Sequence, residues 1–385
     1  MRDIFVYDRE NQTVERVSTG PGGAQANGDS QRPTLSSDGR FVAFWSAADN
    51  LVENDTNRVT DCFVHDRQTH ETFRVDLGVN NVQANGECAR PVISGDGMLV
   101  AFESAATNLE KPGVLGKSTD SNKARDVFVR DLAEGTTTRV SVTSDGKQGA
   151  GESVRPSISA DGRFVAFQSD APLSSDDTNK KTDVYLHDRE SGETTRVSIG
   201  PGGVEGNSGS FSPSLSADGR FIAYWSNASN LVAGDTNKTG DVFVFDRNDG
   251  STVRESENED RVQGDGMSSD PSISPDGRYV AFWSGATNLV PDDTNGKRDI
   301  FLVDRDAKTI VRESIADDGT QGDGDSFSPN INGGGGLVAF DSAAKTLVAD
   351  DHKTKGSDIF LHWDDQPQST TDPGAGAAPA PQQQQ

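Results

Sequence analysis

The sequence predicts an all-β protein, a six-bladed β-propeller made of four-stranded antiparallel blades. The main observation is one motif, S-x-D-G-R-[FY]-[VI]-A-[FY], which returns in exact or weaker form six times along the 385 residues. The third position of the motif is Asp38, Asp96, Asp161, Asp218 and Asp276 in the first five copies, and Gly334 in the sixth. Copies spaced 57 to 65 residues apart indicate a repeat architecture rather than two or three separate domains.

Composition is the second observation. Hydrophobic residues make up 32% of the chain and there are 41 glycines, a mixture typical of many short strands joined by turns. The formal net charge of −25 repels a phosphate backbone, which argues against a nucleic-acid partner and favours divalent cations or a basic protein surface. There is no run of 18 apolar residues, so we expect no membrane span, and we expect a monomer.

The third observation is the pattern inside each unit, for which residues 155–198 serve as the example. "RPSIS" leads into a D-G turn, "RFVAFQS" alternates apolar and polar residues, "DVYLHD" alternates again after a long loop, and "TTRVS" follows a short turn. Period-2 alternation bounded by Gly, Asp and Asn predicts four antiparallel strands per unit. Because one such sheet cannot bury both of its faces alone, the units must stack, and radial stacking gives a propeller.

The two ends of the chain predict how the ring closes. The chain opens with third- and fourth-strand sequence, "RDIFVYDRENQTVERVS", and its last strand-like segment is "SDIFLHW". We therefore predict that the N-terminal strand completes the sixth blade, which leaves one third strand in surplus, either residues 3–8 or 358–363. A seven-bladed longer parent is the alternative. The propeller is expected over residues 1–363 and a disordered Pro/Gln/Ala-rich tail over 364–385.

The repeated pattern P-S-I-S-x-D-G-R-x-V-A-F-x-S followed by D-V-F-V-x-D-R-x-x-G-x-T-x-R-V-S resembles the WD40-like, or PD40, repeat of TolB-like propellers over roughly residues 1–363. The resemblance implies a periplasmic or extracellular protein that binds other proteins without catalysis. The chain differs by lacking the preceding small domain and by a long acidic loop in each unit, so TolB's own partners are not carried over. Met1 is followed directly by strand-like sequence with no signal peptide, so the expected location rests on the resemblance.

The long loops carry the candidate metal site, an Asp-x-Asn-x-x-x-Asp pattern that we call the D-T-N loop. Strand direction predicts that these loops share one face of the ring, the upper face, with the crossings between units. Carboxylate and amide oxygens at positions 1, 3 and 7 suit Ca²⁺. Asp and Asn also form tight turns without metal, and that alternative stays open. The candidate residues are Asp55, Asn57 and Asp61; Asp120, Asn122 and Asp126; Asp177, Asn179 and Asp183; Asp235, Asn237 and Asp241; and Asp293, Asn295 and Asp299.

Other side chains were considered for binding. Trp45, Trp225 and Trp283 end their second strands, where we expect packing between blades, with stacking on sugar rings as the alternative. Arginines of the fourth strands, such as Arg74, are expected to pair with aspartates that end the third strands, such as Asp66. The partner is therefore expected to be a protein or cell-envelope component, with a glycan as the alternative.

The sequence predicts no enzyme. We find no G-x-S-x-G elbow, and the five histidines are too scattered to predict a transition-metal or Ser-His-Asp site. Cys62 and Cys88 stand where other copies carry Val or Ile and Ser, so they are interpreted as packing replacements rather than a disulfide framework. A glycosidase- or lyase-like propeller remains the alternative, because an acid and a base could come from different blades.

Overall fold

The computed structural model describes residues 1–110, 120–349 and 356–363, and it confirms the predicted all-β propeller. Six antiparallel blades follow one another along the described chain, five with four strands and the last with three, and two short two-stranded sheets accompany them. Helical structure in these residues consists of short 3-10 turns such as Pro21–Gly23, Val79–Asn81 and Pro201–Gly203. None of the helices described could cross a membrane. The predicted tail, 364–385, lies outside the described residues.

The strands have the following bounds. An N-terminal hairpin consists of β1 (Phe5–Asp8) and β2 (Thr13–Arg16). Blade 1 consists of β3 (Ser30–Leu35), β4 (Phe41–Ser46), β5 (Asp61–Asp66) and β6 (Glu71–Arg74). Blade 2 consists of β7 (Cys88–Ile93), β8 (Leu99–Ser104), β9 (Asp126–Asp131) and β10 (Thr136–Arg139). Blade 3 consists of β11 (Ser153–Ile158), β12 (Phe164–Ser169), β13 (Asp183–Asp188) and β14 (Thr194–Arg196).

The chain then crosses to blade 4 through a two-residue pair, β15 (Ile199–Gly200) with β16 (Val204–Glu205). Blade 4 consists of β17 (Ser210–Leu215), β18 (Phe221–Ser226), β19 (Asp241–Asp246) and β20 (Ser251–Arg254). Blade 5 consists of β21 (Ser268–Ile273), β22 (Tyr279–Ser284), β23 (Asp299–Asp304) and β24 (Thr309–Arg312). Blade 6 consists of β25 (Ser326–Ile331), β26 (Leu337–Ser342) and β27 (Asp358–Trp363).

Consecutive blades pack face to face, and this packing forms the core. Residues of the second and third strands such as Val64 and Phe102 belong to one buried cluster that spans blades 1 and 2.

The D-G turn fits the neighbouring blade closely. Gly97 has a φ of 77°, and a Cβ there would lie 2.2 Å from Cδ2 of Phe41 in the preceding blade. Glycine is therefore required at this turn both by its backbone conformation and by the approach of the neighbouring ring.

The N-terminal closure differs from the prediction. Strand β2 pairs with β1 in a separate two-stranded sheet, and β27 pairs with β26 alone among the described strands. The hairpin packs on blade 1, where Ile4 and Val17 join a cluster with Phe44. Because β2 is already paired with its own third strand, it does not supply the fourth strand of blade 6.

The cysteines also differ from the prediction, because Cys62 and Cys88 form a disulfide with Cα atoms 5.6 Å apart. Cys62 lies on the third strand of blade 1 and Cys88 begins the first strand of blade 2. At the next junction the same two positions hold Val127 and Ser153. The interpretation as separate packing replacements was wrong because two positions that are 26 residues apart in sequence become neighbours when blades stack.

Replacing the disulfide with the residues of the other copies tests its contribution. We expect the double variant C62V/C88S to fold and to lose roughly 2–4 kcal/mol of unfolding free energy, because the crosslink no longer restricts the unfolded chain. Urea unfolding with and without a reductant measures this. A reductant should lower the stability of the wild type and leave the variant unchanged; equal stability of both proteins under oxidising conditions would contradict the prediction.

Candidate functional site

The D-T-N loops lie against the crossings between blades, as predicted from strand direction. In blade 1 the Asn57 side-chain amide donates to the Asp61 carboxylate at 2.8 Å and to the Ala84 carbonyl at 3.0 Å. In blade 4 Asn237 donates to Asp241 and Gly264 at 3.0 and 2.9 Å. The asparagine thus joins its own loop to the following crossing, which is turn chemistry that requires no ion.

An arginine of the fourth strand lies beside the carboxylates of each D-T-N loop. In blade 1, Nη1 of Arg74 lies 3.1 Å from Oδ1 of Asp55, and Nη2 contacts Oδ1 of Asp61. The equivalent ion pairs in the other loops join Arg139 to Asp120 and Asp126, Arg196 to Asp177 and Asp183, Arg254 to Asp235, and Arg312 to Asp293, at 3.7–3.9 Å. A buried guanidinium therefore supplies a positive charge at the place where calcium is predicted.

Within the described residues, the fourth-strand arginines do not pair with the aspartates that end the third strands, in contrast to the prediction. Asp66 instead accepts two hydrogen bonds from Arg40, the arginine of the D-G-R turn, at 2.9 and 2.6 Å. Arg163 pairs with Asp188 in the same way in blade 3. The D-G-R hairpin places its arginine beside the end of the third strand, which leaves the fourth-strand arginine to the D-T-N loop.

The last aspartate of each loop is buried at the start of its third strand. Burial raises the pKa of Asp183 and of Asp241 to about 6 in each case, against the hydrogen bonds that favour the ionised form. Those bonds come from the loop asparagines and from serines two residues after the fourth strands, with Ser198 donating to Asp183 at 2.5 Å and Ser256 to Asp241 at 2.6 Å. The carboxylates therefore anchor the upper end of each blade.

Blade 1 departs from this arrangement because Asp76 stands where the other copies have serine. Asp76 is fully buried, and its Oδ1 lies 3.3 Å from Nε of Arg74. Burial, followed by the nearby charge of Asp61, raises the pKa of Asp76 well above its usual value. Oδ2 of Asp55, of Asp61 and of Asp76 are all buried without a hydrogen-bond partner among the described residues. Three carboxylates thus share one guanidinium.

A second candidate site is the central cavity, about 520 Å³, which is lined by the first strands of all six blades. Each first strand carries a β-bulge just before a proline, as where Gln31 pairs with Trp45 but Thr34 pairs with Ala43. The residue at the bulge has a φ between 47° and 56° in every blade, a conformation that is uncommon outside glycine. Six residues therefore line the cavity at equivalent positions: Arg32, Arg90, Arg155, Ser212, Asp270 and Ser328.

The cavity is electrostatically asymmetric, since the bulge residue is arginine in blades 1–3 and serine or aspartate in blades 4–6. Burial, followed by the charges of Arg155 and Arg32, lowers the pKa of Arg90 to about 10. Nη1 of Arg155 donates to the Ser212 hydroxyl at 2.9 Å and lies 3.5 Å from Oδ1 of Asp270. One half of the cavity thus concentrates positive charge in a protein that carries a net charge of −25.

The tryptophans pack between strands and blades. The Trp225 ring stacks on Phe211 with centroids 4.6 Å apart, and Trp283 meets Phe327 edge to face at 5.7 Å. Their indole N–H groups point to the cavity's bulge residues, at 3.4 Å from Ser212 Oγ and 3.3 Å from Asp270 Oδ2. Their rings support the cavity wall, which favours the packing alternative over a sugar platform.

Sequence reasoning did not identify the cavity residues, although a signal was present. The residue before the first-strand proline is arginine in the first three copies and Ser, Asp and Ser in the last three. That position reads as one more polar residue of an alternating strand. Only the bulge turns this residue toward the ring axis. Without knowledge of the bulge, the change from arginine to serine does not indicate a charged cavity.

Comparison with known proteins gives the fold. No protein-family model and no curated protein sequence matches the chain. An oligogalacturonate lyase solved with manganese is similar with a TM-score of 0.55 at 12% identity, covering 94% of this chain and 82% of the lyase. The propeller domain of the trilobed protease from Pyrococcus furiosus, described as having an open velcro topology, gives a TM-score of 0.52 at 14% identity over 89% and 82%.

A TolB-like protein is also among the similar structures. The putative TolB from Agrobacterium tumefaciens gives a TM-score of 0.47 at 17% identity, covering 80% of this chain and 87% of that protein. At 12% and 14% identity, the likenesses to the lyase and to the protease propeller domain establish the β-propeller fold and no activity.

Restoring the repeat's serine in blade 1 tests the charge imbalance around Asp76. Because the folded-state pKa of Asp76 is raised, its contribution favours folding below the unfolded pKa, about 3.9, and is lost as the pH rises through the folded pKa. We expect D76S to be more stable than the wild type at pH 7–8 by roughly 1–3 kcal/mol, with a smaller difference near pH 4.

Urea unfolding of both proteins at several pH values, in the presence of a chelator, measures this. The reciprocal variant S198D, which adds a carboxylate to blade 3, is the control and should lose stability as the pH rises. A D76S variant that is less stable than the wild type at pH 8 would contradict the prediction.

Proposed function

We propose that this chain is a noncatalytic binding propeller that takes a carboxylate-bearing segment of a protein partner into its central cavity. The observation that supports the proposal is the group of three arginines, Arg32, Arg90 and Arg155, on one half of that cavity. Strongly shifted pKa values, such as that of Arg90, are concentrated at functional sites.

The arginines have the chemistry that carboxylate recognition requires. A guanidinium presents a planar fork of donors that matches the two oxygens of a carboxylate. Arg32 is exposed in the cavity and has no hydrogen bond with any described residue, whereas Arg155 is held by Ser212. Arg90 lies 3.7 Å from Glu103, whose carboxylate is already shared with Arg125 at 3.2 Å. The positive charge of the three arginines is therefore only partly neutralised, and a bound carboxylate would neutralise more of it.

The other half of the cavity favours a peptide. Ser212, Asp270 and Ser328 offer hydroxyl and carboxylate groups, which suit the amide groups of a peptide backbone. Six prolines line the wall between these polar groups. A volume of about 520 Å³ is in the range of small-ligand pockets, so it suits a few residues of a chain end or loop. The covered rings of Trp225 and Trp283 weigh against the glycan alternative.

A noncatalytic role agrees with the side chains that line the cavity. Their titratable groups are three arginines and Asp270, which lies 3.5 Å from Arg155. This set binds negative charge and offers no paired general acid and base.

The disulfide supports a location outside the cytoplasm. Disulfides form and persist in oxidising compartments, which include the periplasm and the extracellular space. The Cys62–Cys88 bond is buried between blades 1 and 2, and it fits the envelope location that we propose together with a protein or cell-envelope partner.

Calcium binding by the D-T-N loops remains a further proposal, and blade 1 is the loop to examine first. There the unpartnered oxygens of Asp55 and Asp61 could accept a cation beside Arg74. In the loops of blades 3 and 4, by contrast, Asp183 and Asp241 accept bonds from both an asparagine and a serine.

The cavity proposal is tested by replacing arginines with the serine that blades 4 and 6 carry at the same bulge. We expect R32S/R90S to weaken binding of a labelled acidic peptide of alternating Glu and Ser by at least about tenfold, or about 1.4 kcal/mol, measured by fluorescence anisotropy. R58S, which removes one positive charge from an exposed D-T-N loop outside the cavity, should bind as the wild type does.

A matched Gln-Ser peptide and oligogalacturonide are measured in parallel. Equal binding of the neutral peptide, or an unchanged affinity of R32S/R90S, would refute the proposal. If the oligogalacturonide binds in an arginine-dependent way and the acidic peptide does not, the cavity binds anions, but its ligand is an acidic glycan and not a peptide.

The calcium proposal predicts a rise in the melting temperature of chelator-treated protein at millimolar Ca²⁺. The rise should be smaller in D55N than in D235N, since Oδ2 of Asp55 and of Asp61 in the first loop are buried without a hydrogen-bond partner among the described residues. Differential scanning calorimetry measures the melting temperature. Identical melting curves with Ca²⁺ and with chelator would refute calcium binding.

A further inference from the structure

The junction between the N-terminal hairpin and blade 1 brings together two histidines and a glutamate. One ligand atom each from Glu15, His65 and His70 lies within 4.8 Å of the other two, and no other such group of three occurs in the described residues. The Nδ1 of His70 is 3.5 Å from Oε1 of Glu15. Tetrahedral zinc with bonds of about 2.0–2.1 Å holds its ligand atoms about 3.4 Å apart, so this pair already has the spacing of two ligands.

We propose that Glu15, His65 and His70 form a zinc site that ties the N-terminal hairpin to blade 1. Two histidines and one glutamate are a known protein ligand set for zinc, with the fourth position left to water. The two cysteines are joined to each other and do not compete as thiolate ligands. Sequence spacing did not indicate this group, because Glu15 lies 50 positions from His65 and 55 from His70, and the fold brings them together.

Hydrogen bonds prepare His65 as a ligand. Its Nδ1 lies 3.0 Å from the Thr72 hydroxyl, and that hydroxyl donates its own proton to the Thr19 carbonyl. Thr72 must therefore accept from His65, which assigns the Nδ1–H tautomer and leaves the lone pair on Nε2. Metal-binding histidines commonly donate their second ring nitrogen to such a partner, because this fixes the ring and its tautomer.

Reorganisation of the site on binding is modest. His65 is 1% exposed and held in place, while the side chains of His70 and Glu15 are 73% and 31% exposed. The exposed pair can close on an ion without disturbing the core. Arg67 opposes binding, since its Nε donates to Oε2 of Glu15 at 2.8 Å. The other oxygen, Oε1, faces His70 and is the one that would bind zinc.

The repeat itself provides a control. His187 occupies the position of His65 in blade 3, and its Nδ1 meets the Thr194 hydroxyl at 2.9 Å in the same way. The positions equivalent to His70 and Glu15 at that junction are Gly192 and Thr138, which offer no ligand. The three ligand residues therefore occur together at one junction. His70 has a φ of 59°, and three other blades have glycine at the equivalent position.

The test uses the full chain without a histidine tag, with its disulfide intact and stripped of metal. Titration with Co²⁺, followed by its visible absorption, reports the coordination, and competition with Zn²⁺ gives the affinity. We expect one equivalent with a tetrahedral or five-coordinate spectrum, at least tenfold weaker binding in H70A and in E15Q, and wild-type binding in H187A.

His70 is exposed, so H70A should fold even if H65A does not, and circular dichroism checks this. Absence of a saturable one-equivalent signal would overturn the proposal, as would wild-type affinity of H70A or an equal loss in H187A. Zinc should also raise the melting temperature of the wild type and leave that of H70A unchanged. This result is independent of peptide binding in the cavity, because the site lies at the outer hairpin.

Discussion

The structure depends on the burial of each blade's apolar face by the next blade. Ile300 on the third strand of blade 5 is fully buried, because blade 6 covers it. Ile359 holds the same position in blade 6 and is 78% exposed. Full burial of such a side chain is worth about 1.5–3 kcal/mol, so the ring is stabilised at every junction that stacks. The same stacking sets the distances at every interblade feature, including the disulfide, the cavity and the histidine junction.

Residues that follow the repeat maintain the ring, and residues that depart from it carry the candidate chemistry. The D-T-N aspartates, their asparagines and the fourth-strand arginines recur because each blade needs the same anchoring of its long loop. Arg90 and Arg155, by contrast, share a position that is serine in blade 4, and His70 takes a position that is glycine in blade 3. Because the backbone is nearly the same in every copy, these substitutions change the chemistry of a site without changing its geometry. Each copy is therefore a natural control for the others.

The distribution of charge follows from the same division. The buried acids of the loops are balanced locally by arginines, as Asp55 and Asp61 are by Arg74. Blade 1 exceeds this balance because Asp76 adds a carboxylate without a cation of its own. The cavity has the opposite excess, since Glu103 and Asp270 only partly balance three arginines. An acidic surface around a basic cavity restricts which anionic partners can enter, because charge repulsion at the surface must be overcome by contacts inside.

The sequence by itself determined the fold class, the order of the strands and the face shared by the D-T-N loops. These features depend on the period-2 alternation and on the repeat length, both of which are local and survive without any knowledge of contacts. Tertiary structure alone decided that β2 pairs with β1, that Cys62 meets Cys88 and that Glu15 reaches His65. It also decided that a bulge in each first strand places Arg32, Arg90 and Arg155 in the lining of the same central cavity. Apart from the local β1–β2 hairpin, these groups lie from 26 residues apart, for the two cysteines, to 123, for Arg32 and Arg155. Their approach is set by how blades stack and how one extra residue rotates a strand, which no local pattern encodes.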